Sequence, residues 1–290
     1  FDDNIDSDSD TIADGCDECP LDPENDIDGD GLCCNDTIDF LNSELGPFSQ
    51  DYVILPEINN GDFLKPGGVV TFSCDYRGEG AIFSIERSGT PWPMERVIIN
   101  HVPDQDLHED GLSTIKTYHR DINNNTSHEP LTDAISQDTL WNNIVVSIDN
   151  NIGAYKLYHN GVKVIDYDFN PSNFYLENLD WKIGSLTYNL SEMFDGSMKN
   201  ITFWNYPFND NDVSNYLNGS LEPNSLNAYA YYGYNPSEYS LLFDYSGNGW
   251  HGEIVSLNEN YNFWSVLNDS NPIDSCCYDP ENDSDEDGVC

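Results

Sequence analysis

Near the start of the chain, Asp6, Asp8, Asp10, Asp14 and Asp17 occupy positions 1, 3, 5, 9 and 12 of one acidic loop. Carboxylates at alternate positions of a curled loop can converge on a single cation. A shell of six or seven oxygens at roughly 2.4 Å suits Ca²⁺, whereas Mg²⁺ tolerates such crowding poorly, so calcium is the expected ion. Without it, each close carboxylate pair repels by about 1 kcal/mol even at the dielectric of water, and the loop is expected to open. A second loop begins Asp26, Asp28, Asp30 and a third Asp283, Asp285, Asp287. Their ninth positions are not acidic, being Cys34 in the second, so these shells need water, backbone carbonyls or a later acid such as Asp36. The alternative is a solvated acidic linker or a halophile surface, but aligned spacing, Gly and Cys favour metal loops.

Residues 19–33 match residues 276–290 without a gap. The match continues if Cys290 is followed by another Phe1, since Ile38 then falls on Ile5 and Asp39 on Asp6. The chain therefore reads as one period of something longer, either tandem copies in one polypeptide or subunits joined head to tail. In both cases the loop starting at Asp283 is expected to be completed by Asp2 or Asp3 of the following copy, with Ca²⁺ at each junction.

A formal charge of −43 excludes nucleic acid as a partner, because no basic patch offsets phosphate repulsion. All Lys and Arg lie between Lys65 and Lys199, so both ends are purely acidic. The middle is mixed and rich in Tyr, Trp, Phe and Asn, a globular β composition. All of the eight Cys except Cys74 lie in the acidic ends, which points to disulfides and to an extracellular or cell-surface setting. Zinc at Cys16 and Cys19 is the rival reading, but a second ligand pair at finger spacing is absent and hard oxygen ligands surround the site. Phe1 is not an initiator, and no run of about 18 apolar residues is present. No membrane insertion is expected within this segment, and any export signal or anchor is expected to lie outside it.

Residues 1–40 have almost no apolar periodicity and cannot offset chain entropy unaided. Residues 41–270 carry short runs of branched and aromatic residues at 68–74, 81–85, 96–100, 114–118 and 144–148, separated by polar turns. That spacing predicts an antiparallel sandwich. Asn160-Gly161 between two alternating runs predicts a tight hairpin. One short helix is expected over Asp210–Leu217, and residues 271–290 return to the acidic, Cys-rich composition.

The acidic pattern resembles the thrombospondin type 3 repeat, whose Asp spacing and Cys-Pro are met at Asp6, Asp8, Asp10, Asp14, Asp17, Cys19 and Pro20, with Thr11 where the family has Gly. The resemblance implies calcium-wrapped, disulfide-stapled rods that link or flank larger domains. Cys19 is expected to pair with Cys33, and Cys276 with Cys290, each worth about 3 kcal/mol by loop closure. Cys16, Cys34, Cys74 and Cys277 remain, and a bond from Cys74 to Cys34 or Cys277 would clamp the connector to the central domain.

The central region resembles laminin G-like or concanavalin A-like jelly rolls. The resemblance is carried by Trp141 with its strand and the Tyr158-His-Asn-Gly161 turn, by Phe194-Asp-Gly196 with the strand after it, and by Asp244-Tyr-Ser-Gly-Asn-Gly249. The expected fold is all-β: an antiparallel β-sandwich with calcium-stabilised, disulfide-linked irregular acidic repeats at both ends. Such domains often hold a structural Ca²⁺, for which Asp195 and Asp244 are the candidate pair, although Lys199 and Asn200 stand where acids are expected. A turn-forming Asp244, bonded to local backbone, is the favoured reading.

The fold also hosts glycosidases, yet the paired-carboxylate strand motif they use is missing, as are Gly-x-Ser-x-Gly and His-Glu-x-x-His. Glu109-Asp110 beside His108 reads as a polar loop, and no enzyme is expected. Sequons at Asn35, Asn124, Asn125, Asn189, Asn200, Asn218 and Asn268 suit a secreted glycoprotein, whereas the one at Asn282 sits beside a metal loop. The leading expectation is a structural repeat of an extracellular fibre, stalk or giant surface protein, partnered by itself head to tail. The alternative is an adhesin or lectin-like module that binds surface glycans or matrix proteins on a calcium-stiffened spacer. The Trp residues are expected in the core rather than as sugar platforms, and an exposed Trp or Tyr surface with converging polar groups would favour the second.

Overall fold

The computed structural model describes residues 38–40, 51–87, 96–103, 112–120, 127–128, 135–136, 141–173, 179–186, 193–233 and 240–255. The acidic metal-loop residues and every Cys except Cys74 lie outside them. The strands are β1 Ile38–Phe40, β2 Tyr52–Leu55, β3 Val69–Arg87, β4 Arg96–Pro103, β5 Leu112–Arg120, β6 Ser127–His128, β7 Ile135–Ser136 and β8 Asn142–Asp149. They continue with β9 Ala154–His159, β10 Val162–Asp168, β11 Leu179–Ile183, β12 Asp195–Trp204, β13 Ala228–Gly233, β14 Leu241–Asp244 and β15 Gly252–Val255. The helix α1 spans Asp210–Leu217, as the sequence predicts. Among the described residues no helix is long and apolar enough to cross a membrane.

The strand β3 organises the fold. Its sequence suggests two runs parted at Arg77-Gly-Glu-Gly80, yet Val69–Arg87 is one strand of 19 residues. Its first half lies between β8 and β12, and its second half between β4 and β11. Gly78 and Gly80 sit at the crossover with φ of 129° and 109°, and a Cβ on either would strike the carbonyl of Asp195 or Met193. The missing side chains let the two backbones close up and the strand turn from one layer into the other.

Because β3 serves both layers, the ladder does not break into two sheets. It runs β3, β12, β13, β14, β15, β2, β11 and back to β3, a closed ring of seven strands. This corrects the expected sandwich of two separate sheets, while the antiparallel all-β class stands. The strands β8, β9 and β10 extend the ring from one half of β3, and β4 with β5 from the other. The β9–β10 hairpin turns at Asn160 and Gly161 with φ of 47° and 76°, the positive values a two-residue turn requires.

The core is aromatic. Phe72 stacks on Phe83 at 4.8 Å, Phe83 meets Phe203 edge-on at 5.2 Å, and Phe63 meets Trp181 at 5.0 Å. Such pairs add about 1 kcal/mol each beyond area burial. Cys74 alternates with Phe72 and Tyr76 on the core face of β3, fully buried and a free thiol. The expected clamp from Cys74 to Cys34 or Cys277 is thereby corrected, because the strand register turns this sulfur inward. Burial, and then the nearby Asp75, push its pKa up, so it behaves as a small apolar side chain. Ile38 and Phe40, at the end of the acidic segment, are also in the core, where β1 pairs with β12 and Phe40 meets Phe194 at 5.7 Å.

Candidate functional site

With Cys74 and Tyr76 turned inward, Ser73, Asp75 and Arg77 face outward on the layer formed by β12, β3, β8 and β9. One half of that outer face is covered. Asn209 caps α1 reciprocally with Asp212, and the helix lays Val213 and Tyr216 over Trp204, Val145, Tyr158 and Phe208. Trp204 Nε1 donates to Ser73 Oγ at 2.8 Å beneath it. Tyr158 OH donates to Asp210 at 2.8 Å, and this bond, with Lys163 nearby, holds the Asp210 carboxyl below the usual range.

The other half is more open at Trp141 and Arg77, although Asn143, Ser197 and Lys199 on it are buried. Trp141, just before β8, is partly exposed. The Arg77 guanidinium lies 5.3 Å from its ring centroid and Lys199 Nζ lies 4.8 Å away. Arg77 is exposed and donates to Ser197 Oγ at 3.4 Å, its cross-strand neighbour on β12. Beside this cation pair, Asp75 receives two amides: Asn143 Nδ2 at Oδ1 and Asn200 Nδ2 at Oδ2, both at 2.7 Å. Asn200 reaches Asp75 because a β-bulge between Lys199 and Thr202 puts it at φ 53°. Asn160, on the hairpin turn, accepts from the Asn143 backbone at 2.7 Å and donates to Asn142 at 3.0 Å. The arrangement is an aromatic ring amid fixed donors and acceptors from β3, β8, β12 and the β9–β10 turn. It suits hydrogen bonding to a polyhydroxylated ligand.

The sequence-predicted metal pair is not brought together. Both Asp244 oxygens are occupied locally, Oδ1 by the N–H groups of Tyr231 (3.3 Å) and Ser246 (2.9 Å), Oδ2 by Ser246 Oγ and the Trp250 N–H, both at 2.9 Å. This bears out the turn-forming reading. Asp195 lies at the far end of β12, opposite Glu79, roughly 20 Å along the strand from the residues neighbouring Asp244. Among the described residues no group of three or more His, Cys, Asp and Glu could hold a metal ion. The residues around Asp244 therefore do not fit a structural Ca²⁺.

The calcium loop residues Asp2, Asp3, Asp6 to Asp36 and Asp283 to Asp287, and the loop at His108, lie outside the described residues. So do Asn35, Asn124, Asn125, Asn189 and Asn268. The sequence marks Trp141 as part of a family-like strand and Lys199 and Asn200 as departures where acids are expected, but it does not show Arg77, Asp75 and Asn143 as their companions. The Trp141-Asn-Asn143 run marks a strand start, but cross-strand register, which aligns Arg77 with Ser197 and Asp75 with Lys199, is not readable from one strand.

No family model and no curated protein matches the chain. Solved structures similar to it include a native heptameric SAP-like pentraxin from Limulus polyphemus, at 13% identity and TM-score 0.43, covering 62% of this chain and 80% of that one. The CBM40 of Ruminococcus gnavus IT-sialidase, bound to α2,3-sialyllactose, is similar at 12% identity and TM-score 0.46, covering 61% and 94%. Domain 4 of AbnA, an extracellular arabinanase from Geobacillus stearothermophilus, in complex with arabinotriose, is similar at 18% identity and TM-score 0.36, covering 50% and 65%.

Proposed function

We propose that the central domain is a glycan-binding module of an extracellular protein, carried between acidic segments that take up structural Ca²⁺. The observation that supports it most directly is the partly exposed Trp141 ring beside the exposed Arg77 and Asn160 and the partly exposed Asp75 and Asn200, with the buried Ser197 and Asn143 bonded to them. Sugars present hydroxyls for charge-assisted and amide hydrogen bonds, and C–H faces for an aromatic surface. Asp75 and its amide partners are already fixed by one another, so little side-chain entropy is lost when a ligand docks. The residues act by binding alone, and the reading includes no catalytic step. What the similar lectin-like structures bind belongs to those proteins, and this reading rests on the side chains of this chain.

A glycan array probed with the intact chain tests the proposal. Binding to a defined set of saccharides, lost in Trp141→Ala while the circular dichroism spectrum is kept, is the expected result. An array with no saccharide bound, or one unchanged by Trp141→Ala, overturns it.

A further inference from the structure

We propose that this surface selects anionic saccharides, with the Arg77 guanidinium meeting a carboxylate or sulfate of the ligand. The inference rests on the glycan reading above and names its ligand class. Only 10 Lys and Arg serve a chain with 53 Asp and Glu, yet two of them, Arg77 and Lys199, converge on one Trp ring. Arg77 is exposed, and among the described residues it forms no ion pair. Its single hydrogen bond, 3.4 Å to Ser197 Oγ, leaves most of its five N–H donors unspent.

Asp75, the acid two residues before it on the same strand face, does not take those donors. Its two oxygens are held at 2.7 Å by the neutral amides of Asn143 and Asn200. The face of a guanidinium can pack on an aromatic ring while its edge hydrogen-bonds in plane, so contact with Trp141 orients the fork without using it up. A carboxylate or sulfate offers the two oxygens that a fork accepts side by side. Lys199, 8% exposed with Nζ on the same ring, adds positive potential at short range. On the next row Glu79 stands opposite Asp195, which repels an anion from that side and leaves approach from the Trp141 side.

The test is an array of uronic-acid, sialic-acid and sulfated glycans, each beside its neutral counterpart, probed with the full chain and with Arg77→Gln. The carboxylate and sulfate arms separate the two sources of negative charge. Expected is preference for at least one anionic form, reduced about tenfold or more by Arg77→Gln, with a clearly smaller loss for its neutral counterpart. Equal binding of charged and neutral forms overturns the inference but keeps the glycan reading, as does an Arg77→Gln loss that is equal for both. An array with no saccharide bound overturns both.

Discussion

The side-chain amide nitrogen of Asn200 donates to Asp75 Oδ2 at 2.7 Å. That nitrogen is the atom to which a glycan would be attached, and Thr202 of the same sequon is 2% exposed. Asn218 differs: it follows α1, its Oδ1 accepts from the Ser220 N–H at 3.0 Å, and it and Gly219 are exposed. Expressed in a glycosylating cell, the chain is expected to carry a glycan at Asn218 and none at Asn200. Peptide mass spectrometry that finds Asn200 occupied in folded protein would contradict the Asp75 contact.

The crossover of β3 predicts the cost of a methyl group. Gly78→Ala places a Cβ against the Asp195 carbonyl at φ 129°, so both clash and backbone strain apply. A loss of about 3 kcal/mol is expected, read as a fall in the urea midpoint. Gly219→Ala meets nothing within 4 Å and is the control, costing only the strain of φ 71°. Equal midpoints for the two variants would mean that β3 and β12 do not approach as closely as described.

What the sequence makes legible depends on the range over which each signal acts. The cap at Asn209, the hairpin at Asn160-Gly161 and the α1 span are local, because turn chemistry and a reciprocal cap act within a few residues. The closed ring is not local. Gly78 and Gly80 look like turn residues until the partner backbone of β12 is placed against them, and only then does their lack of side chains specify a continuous strand. Cys74 alternates with Val70 and Phe72 within one run, but which face of that run meets the core depends on the strands paired and packed around β3. The cluster on Trp141 draws on three strands and a turn, so residue types alone favour a core Trp and show neither its partial exposure nor its companions.

Buried and partly buried tyrosines set the alkaline limit. Tyr155, Tyr167, Tyr216 and Tyr232 all have pKa values raised above 10.0, with burial the largest cause in each. A raised folded pKa contributes stability that is complete below the unfolded value and is lost as pH rises through the folded one. Stability is therefore expected to hold up to pH near 10 and to fall steadily above it. Tyrosinate absorbance from these residues should arrive together with loss of the circular dichroism signal. Their titration at ordinary values in a still folded protein would contradict the burial.

The acidic ends should answer to calcium and the ring should not. Chelation followed by limited proteolysis is expected to cut within residues 1–40 or 271–290 and to leave a resistant fragment containing Asp51 to Val255. Equal protection of the ends with and without calcium would remove the metal from the account.

The central claim is that the Trp141 surface meets a glycan. The most direct measurement is a nuclear magnetic resonance titration of the isotopically labelled chain with a saccharide bound on the array. The account predicts saturable shifts at the Trp141 indole N–H, the Asn143 and Asn200 side-chain amides and the Arg77 guanidinium, with the Trp181 and Trp204 indoles of the core unmoved. Saturable shifts centred elsewhere, with Trp141 and Arg77 silent, would contradict it.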